Sequence, residues 1–215
     1  MDSTDRKLAG ELLRIKAVLL RPDDPFTWAS GWHSPIYCDN RRILSDPELR
    51  AKVALWLSEA ATREFPGADV VAGVATGAIA HGVLAAEKMG KPFAYVRPAK
   101  KDHGTGSQIE GVIPAGSKVV VIEDLVSTGM SSLAAVAALR EAGAEVLGMV
   151  AIFTYGFEIA RQRFEEAGVK LVTVSDYGAL IEEATATGYV GASDAEVLRR
   201  WRLDPANWNP ERTMI

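Results

Sequence analysis

The sequence predicts an α/β fold, a central and mainly parallel sheet flanked by helices. Three observations predict it. Strand-sized apolar runs alternate with segments of helical period along most of the chain. The run Lys118-Val119-Val120-Val121-Ile122 is dominated by β-branched apolar residues, the composition of a central parallel strand covered on both faces. Several helical segments end at glycine (Gly90, Gly143, Gly168), where a C-terminal cap needs a left-handed residue.

Taken in order, the N-terminus MDSTDRKLAGELLRIK mixes acids with bases and has no uninterrupted apolar stretch, so it reads as an amphipathic helix over Leu8–Leu20 and not as a signal peptide. Asp23–Arg42 has no period. A helix follows at Pro47–Glu64, then a strand at Val70–Val74, a helix at Ala78–Met89 and a strand at Phe93–Val96. Arg97–Pro114 is polar, glycine-bearing and too long for an ordinary connection. It carries Lys100, Lys101 and His103 beside Gly104 and Gly106, the composition of a mobile cationic arm. The remaining expectations are strands at Val119–Ile122, Val146–Phe153 and Leu171–Val174. Helices are expected at Ser131–Ala142, Gly156–Ala167 and Asp194–Trp201, the last with Ser193 as its N-cap. The tail after Leu203, with Pro205 and Pro210, reads as a strap or a frayed end.

No repeat or low-complexity linker divides the 215 residues, so a single domain over 1–215 is expected. Hydrophobic residues make up 48% and charged residues 24%, which excludes disorder. The net charge of -4 argues against a nucleic-acid partner. The longest apolar runs are strand-sized, so no membrane span is expected. The single cysteine, Cys38, forms no internal disulfide and suits a cytoplasmic location. His33 and His81 have no second His, Cys or acid at ligand spacing and read as packing or rim residues.

The chemistry concentrates at residues 118–132. The buried strand ends in Glu123 and Asp124, where strands of an open α/β sheet deliver side chains to a ligand crevice. Next comes Ser127-Thr128-Gly129-Met130-Ser131-Ser132, a small-residue turn opening a helix. Unpaired N–H groups and the helix dipole there suit a phosphate dianion. Acids beside a bare phosphate would be repulsive. A sugar phosphate resolves this, because it offers hydroxyls to the acids and can bring a divalent cation. There is no GxxxxGK[ST] loop, and no GxGxxG follows a strand and opens a helix.

This segment resembles the donor-binding signature of the type I phosphoribosyltransferases: apolar strand, two acids, two apolar residues, then a Thr-Gly turn. Two further blocks narrow the resemblance to the orotate phosphoribosyltransferase branch of that family. They are Phe26-Thr27-Trp28-Ala29-Ser30-Gly31-Trp32-His33-Ser34-Pro35-Ile36-Tyr37-Cys38-Asp39-Asn40-Arg41 and the YVRPAKKDHGTGSQIEG arm at 95–111. With GVATGAIAHG at 73–82, the matched blocks cover about residues 26–132. The resemblance implies the type I phosphoribosyltransferase fold, with a core sheet over 66–175 and a small hood formed largely by residues 1–45. It implies transfer of the 5-phosphoribosyl group from 5-phosphoribosyl 1-pyrophosphate to N1 of orotate.

The same resemblance assigns roles. Glu123 and Asp124 hold the ribose hydroxyls and favour the developing positive charge. Thr128, Gly129, Met130, Ser131 and Ser132 bind the 5-phosphate. Ala75, Thr76 and Gly77 hold pyrophosphate through main-chain donors, joined by Arg97, Lys100 and Lys101. Lys101 and His103 neutralise the departing pyrophosphate. Ser30, Gly31 and Tyr37 meet orotate; Tyr37 reads equally well as a core tyrosine on a strand. Mg²⁺ is the implied cofactor, held by substrate and water with no direct protein ligand. A homodimer is implied, with the 97–114 arm reaching the neighbouring active site. Three departures from the pattern stand out: Pro98 follows Arg97 where lysine is common, Ala29 replaces a basic residue, and Phe153–Ile159 offers no match for an arginine that some relatives place near orotate. Competing readings are a purine phosphoribosyltransferase and a donor-sensing regulator that binds nucleic acid.

Overall fold

The computed structural model describes residues 3–28, 31–99 and 108–209. In chain order the elements are α1 (Thr4–Arg14), β1 (Val18–Leu20), β2 (Phe26–Thr27), β3 (His33–Ser34), β4 (Ile36–Cys38), α2 (Pro47–Glu64), β5 (Val70–Val74), α3 (Ala78–Met89), β6 (Phe93–Val96), β7 (Ile109–Glu110), β8 (Lys118–Val126), α4 (Met130–Glu141), β9 (Glu145–Thr154), α5 (Glu158–Glu166), β10 (Leu171–Asp176), α6 (Tyr177–Ala186) and α7 (Ala192–Leu203). A 3₁₀ turn at Asn40–Ser45 leads into α2. The Asp46 carboxylate caps α2 by accepting the Leu49 N–H at 3.0 Å.

Six strands form the main sheet in the order β10-β9-β8-β5-β6-β7. All neighbours are parallel except β6 and β7. β8 lies at the centre because Val119–Ile122 are fully buried, apolar on both faces, between β5 and β9. The chain runs outward one way from β5 to β6 and the other way from β8 to β10. The carboxyl ends of β5 and β8 therefore flank a topological switch point, where connections leave in opposite directions and open a crevice. Both glycine-bearing corners singled out in the sequence lie there.

Three expectations need correction. Leu8–Leu20 is not one helix: Lys16 takes a positive φ of 57°, and Val18–Leu20 pairs antiparallel with Ile36–Cys38. Arg97–Pro114 is not all loop, because Ile109–Glu110 folds back on Tyr95–Val96 as an antiparallel edge. The last helix starts at Ala192 with Gly191, not Ser193, in the cap position. A further helix, α6, was not expected from the sequence. Its cap is the Asp176 carboxylate, which accepts the Ala179 N–H at 3.0 Å. The strands of 118–126, 145–154 and 171–176 run past their expected ends, which carries Glu123 and Asp124 into β8 itself.

Two small antiparallel pairs, β1 with β4 and β2 with β3, lie beside the end of β8. The end of the chain closes over them. Trp201 of α7 is fully buried and donates its indole N–H to the His33 carbonyl at 3.1 Å. Trp56 and Trp208 are half-buried.

Candidate active site

The crevice is built from two strand-to-helix corners. α3 follows β5 through Ala75-Thr76-Gly77, and α4 follows β8 through Ser127-Thr128-Gly129. Neither helix has a side-chain cap, which leaves first-turn N–H groups for a ligand, apart from that of Ile79, which donates to the Thr76 carbonyl at 3.3 Å. Gly129 sits at a φ of 80°, which a side chain would strain, and Phe164 closes the space a Cβ would need. The Thr128 carbonyl is fixed by Arg163, whose Nη1 donates to it at 2.9 Å. The Ala75–Thr76 peptide is cis.

The two corners meet. A Cβ placed on Gly77 would overlap the Asp124 carboxylate, so the loop after β5 packs its backbone directly on the acid from β8. Ala75, Arg97 and Ser131 line one cavity of about 100 Å³. Arg97 Nη1 is buried there with no hydrogen bond and lies 3.7 Å from Glu110. At the root of the arm, Arg97 and Gln108 clasp: the Arg97 N–H donates to the Gln108 carbonyl at 2.8 Å, and Gln108 Nε2 donates back at 3.0 Å.

Glu123 and Asp124 are not equivalent, which revises the expectation that both face a sugar. As consecutive strand residues they point to opposite faces. Glu123 turns inward, 3% exposed, and accepts the Ser132 hydroxyl at 2.8 Å and the Asp124 N–H at 3.0 Å. Burial, with the neighbouring Asp124 charge, holds its carboxyl well above the usual glutamate range. Ser132 is likewise buried, so its hydroxyl serves Glu123 and only its main chain faces the turn. Met130 and Ser131 are exposed.

The second cavity, of about 440 Å³, lies between the small N-terminal strands and the ends of β8 and β9. Phe26, Trp28, Tyr37 and Tyr155 supply aromatic walls; Leu125 and Cys38 complete the apolar lining, and Thr27 and Ser127 add hydroxyls. Ser127 belongs to the turn that opens α4, so this cavity abuts the crevice. Trp28 is held by its indole N–H on the Ile36 carbonyl at 3.2 Å. Tyr37, 41% exposed, stands on β4 with its ring 5.6 Å from Phe26, so it is a cavity wall and not a core residue. Burial raises the pKa of the Cys38 thiol.

Two residues belong to the site without being marked for it in the sequence. Asn40, 1% exposed, donates Nδ2 to the Asp124 carbonyl at 2.6 Å and ties the N-terminal strands to the acid. His81, also 1% exposed, packs beneath that link, and burial lowers its pKa, so it stays neutral. Asn40 lies in the Phe26–Arg41 block and His81 in the 73–82 block, yet only contacts distant in sequence give either one its place in the site. Of the remaining predicted residues, Gly31 is exposed at the mouth of the β2–β3 hairpin. Ser30, Lys100, Lys101 and His103 lie outside the described residues. Among the described residues, no cluster of three or more His, Cys, Asp or Glu forms a metal nest.

Comparison with known proteins bears on this geometry. The phosphoribosyl transferase domain matches residues 40–182. The orotate phosphoribosyltransferase of Porphyromonas gingivalis is 52% identical over 97% of this chain and 99% of its own length. That of Listeria monocytogenes is 52% identical over 96% of this chain and 99% of its own. The chain belongs to the orotate phosphoribosyltransferase family. In structure it resembles the orotate phosphoribosyltransferase of Aeropyrum pernix, with a TM-score of 0.74, 34% identity, and coverage of 86% of this chain and 99% of that one. The general domain match begins at Asn40 and ends before α7. Phe26, Trp28 and Tyr37 thus fall outside the part common to phosphoribosyl transferases, whereas the orotate phosphoribosyltransferases match across almost the full length. No described helix is long and apolar enough to cross a membrane.

Proposed function

We propose that this protein transfers the 5-phosphoribosyl group of 5-phosphoribosyl 1-pyrophosphate to N1 of orotate, releasing orotidine 5′-monophosphate and pyrophosphate. The observation that carries the reading is the contact between the two anion corners: Gly77 rests on Asp124, and Ala75 and Ser131 share a cavity. A sugar with phosphate at both ends spans such a pair, with its hydroxyls at the acid between them.

In this reading the main-chain donors of Thr128–Ser132 and the Ser131 hydroxyl hold the 5-phosphate, while Ala75–Gly77 and Arg97 hold the pyrophosphate. Asp124 takes the ribose hydroxyls and favours the positive charge that spreads over the ring as the C1–oxygen bond breaks. Glu123 acts from behind, fixing the first turn of α4 through Ser132. Lys100, Lys101 and His103 offset the charge gathering on pyrophosphate, and cations that arrive with arm closure favour the transition state over the ground state. Orotate brings its own attacking nitrogen, so no protein nucleophile is needed. The aromatic cavity holds the flat ring, with Tyr37 on its face and the Ser30–Gly31 turn at its edge.

Mg²⁺ fits as the cofactor. In this reading the Asp124 carboxylate faces the crevice, and a hard divalent ion brought with the donor would neutralise charge gathering on pyrophosphate. The protein works in the cytoplasm as a homodimer whose 97–114 arm serves the neighbouring site. Leu55 on α2 and Val83 on α3, each 44% exposed, offer apolar surface for a second copy.

The test is an absorbance assay of orotate consumption with donor and Mg²⁺, repeated on Asp124→Asn and Lys101→Ala. Loss of turnover in both variants is expected. Undiminished turnover in both contradicts the roles of Asp124 and Lys101, and turnover of adenine or hypoxanthine in place of orotate overturns the choice of base.

A further inference from the structure

Orotate is an anion, yet the described lining of the aromatic cavity contains no cation. Its polar side chains are the hydroxyls of Thr27, Ser127, Tyr37 and Tyr155 and the thiol of Cys38. Burying a carboxylate against apolar walls is expensive unless donors meet it. Tyr155 differs from the other hydroxyl-bearing residues of the cavity. It is 3% exposed, whereas Thr27 and Tyr37 are exposed, and its hydroxyl has no hydrogen-bond partner among the described residues. The hydroxyl is nevertheless not among the described buried polar atoms that lack a partner, so this otherwise buried residue keeps its oxygen accessible in the cavity it lines.

Its position is rigidly set. The Tyr155 N–H donates to the Val126 carbonyl at 3.1 Å, which pins the backbone to the end of β8. The ring stacks on Phe157 at 5.4 Å and meets Trp28 at 5.2 Å and Trp201 at 5.8 Å. A side chain clamped on several sides cannot swing to solvent, so its hydroxyl is satisfied by whatever enters the cavity. Burial, with Cys38 alongside, raises its pKa well above the ordinary phenol value, so it remains a neutral O–H donor at any working pH.

We propose that the Tyr155 hydroxyl, assisted by Ser127, donates to the carboxylate of the pyrimidine and is the residue that selects orotate over bases lacking that group. This rests on the orotate reading above. The carboxylate is the strongest acceptor on the ligand, and a hydrogen bond to it gains more than one to a ring carbonyl. Selection by a site built to donate to one group works by leaving that donor unpaired when the group is missing.

The test is Tyr155→Phe in the full-length protein, which removes one oxygen and keeps the packed ring. Steady-state kinetics with donor and Mg²⁺ are measured alongside inhibition by uracil, which has the same ring without the carboxylate. The KM for orotate should rise about 10- to 100-fold, as for loss of a hydrogen bond to a charged group. The KM for the donor should stay where it is, which also shows that the variant is folded, and the inhibition constant for uracil should hold or fall, because uracil leaves the wild-type phenol unpaired. An unchanged orotate KM overturns the proposal. So does equal weakening of orotate and uracil, because a phenol acting on the carboxylate cannot affect a ligand without one. Failure of the wild-type protein to use orotate sinks the parent reading instead, and shows itself before any variant is made.

Discussion

The donor crevice and the aromatic cavity adjoin at Ser127 but are built on opposite principles. The crevice is made of main chain. Two uncapped helix N-termini and two glycines meet at the sheet's switch point, and the side chains matter chiefly where they are absent, as at Gly77. The cavity is made of side chains drawn from three distant stretches, 26–38, 125–127 and 155, with α7 closing behind them. Phosphate is the same in every donor and is served by backbone geometry that any small-residue turn can supply. A base must be told from other bases, and that requires specific side chains.

Breaking the crevice should do the most damage. Gly77→Ala forces a methyl group into the Asp124 carboxylate, displacing either the loop or the acid. We expect kcat/KM to fall at least about 100-fold, the scale on which a misplacement near 1 Å acts, while circular dichroism stays native. Retained activity would show that the two corners are not rigidly coupled.

The link between the halves comes next. Asn40→Ala leaves the Asp124 carbonyl buried without its partner, worth about 1–3 kcal/mol of stability. Denaturant melts should show that loss, and KM should rise for both substrates. A change confined to one substrate would mean that the crevice and the cavity respond independently.

The smallest effect sharpens the comparison through pH, since the crevice holds a perturbed carboxylic acid and the described cavity lining holds no carboxyl group. Glu123 binds its proton more tightly folded than unfolded, so it contributes stability at and below the ordinary glutamate value of 4.5. That contribution is lost as pH rises from there through the raised native value. Glu123→Gln should remove this decline. Melting temperatures measured across the range should therefore diverge in favour of the variant as pH increases, and parallel curves would show that Glu123 ionises normally.

The contrast also explains what could be read from the sequence. Val70–Val74, Phe93–Val96, Pro47–Glu64 and Ala78–Met89 matched their expected bounds, because each carries its period and its punctuation locally. The two strand-to-helix corners at 75–77 and 127–129 were legible for the same reason. The break at Lys16 was not, since neither Gly nor Pro marks it and the strand beyond exists only by pairing with Ile36–Cys38. For α6 a local signal does exist in Asp176, an Asx cap ahead of an apolar run, but β10 ends at Asp176 and α6 begins at Tyr177 with no loop between them. Asn40 lies inside the Phe26–Arg41 segment and Tyr155 within 153–159, but nothing about either residue type marks it for a role. Their importance comes from burial and from partners more than eighty residues away, or from having no partner at all.

The hydrogen bond from Trp201 to His33 has a consequence for how the molecule is made. A ribosome delivers the chain from the front, so all six strands of the main sheet emerge before α7 does. The nascent protein can thus assemble its phosphate-handling half while the nucleobase chamber still lacks a wall. A chain cut short before Ala192 should keep its grip on the sugar donor and lose its taste for the pyrimidine.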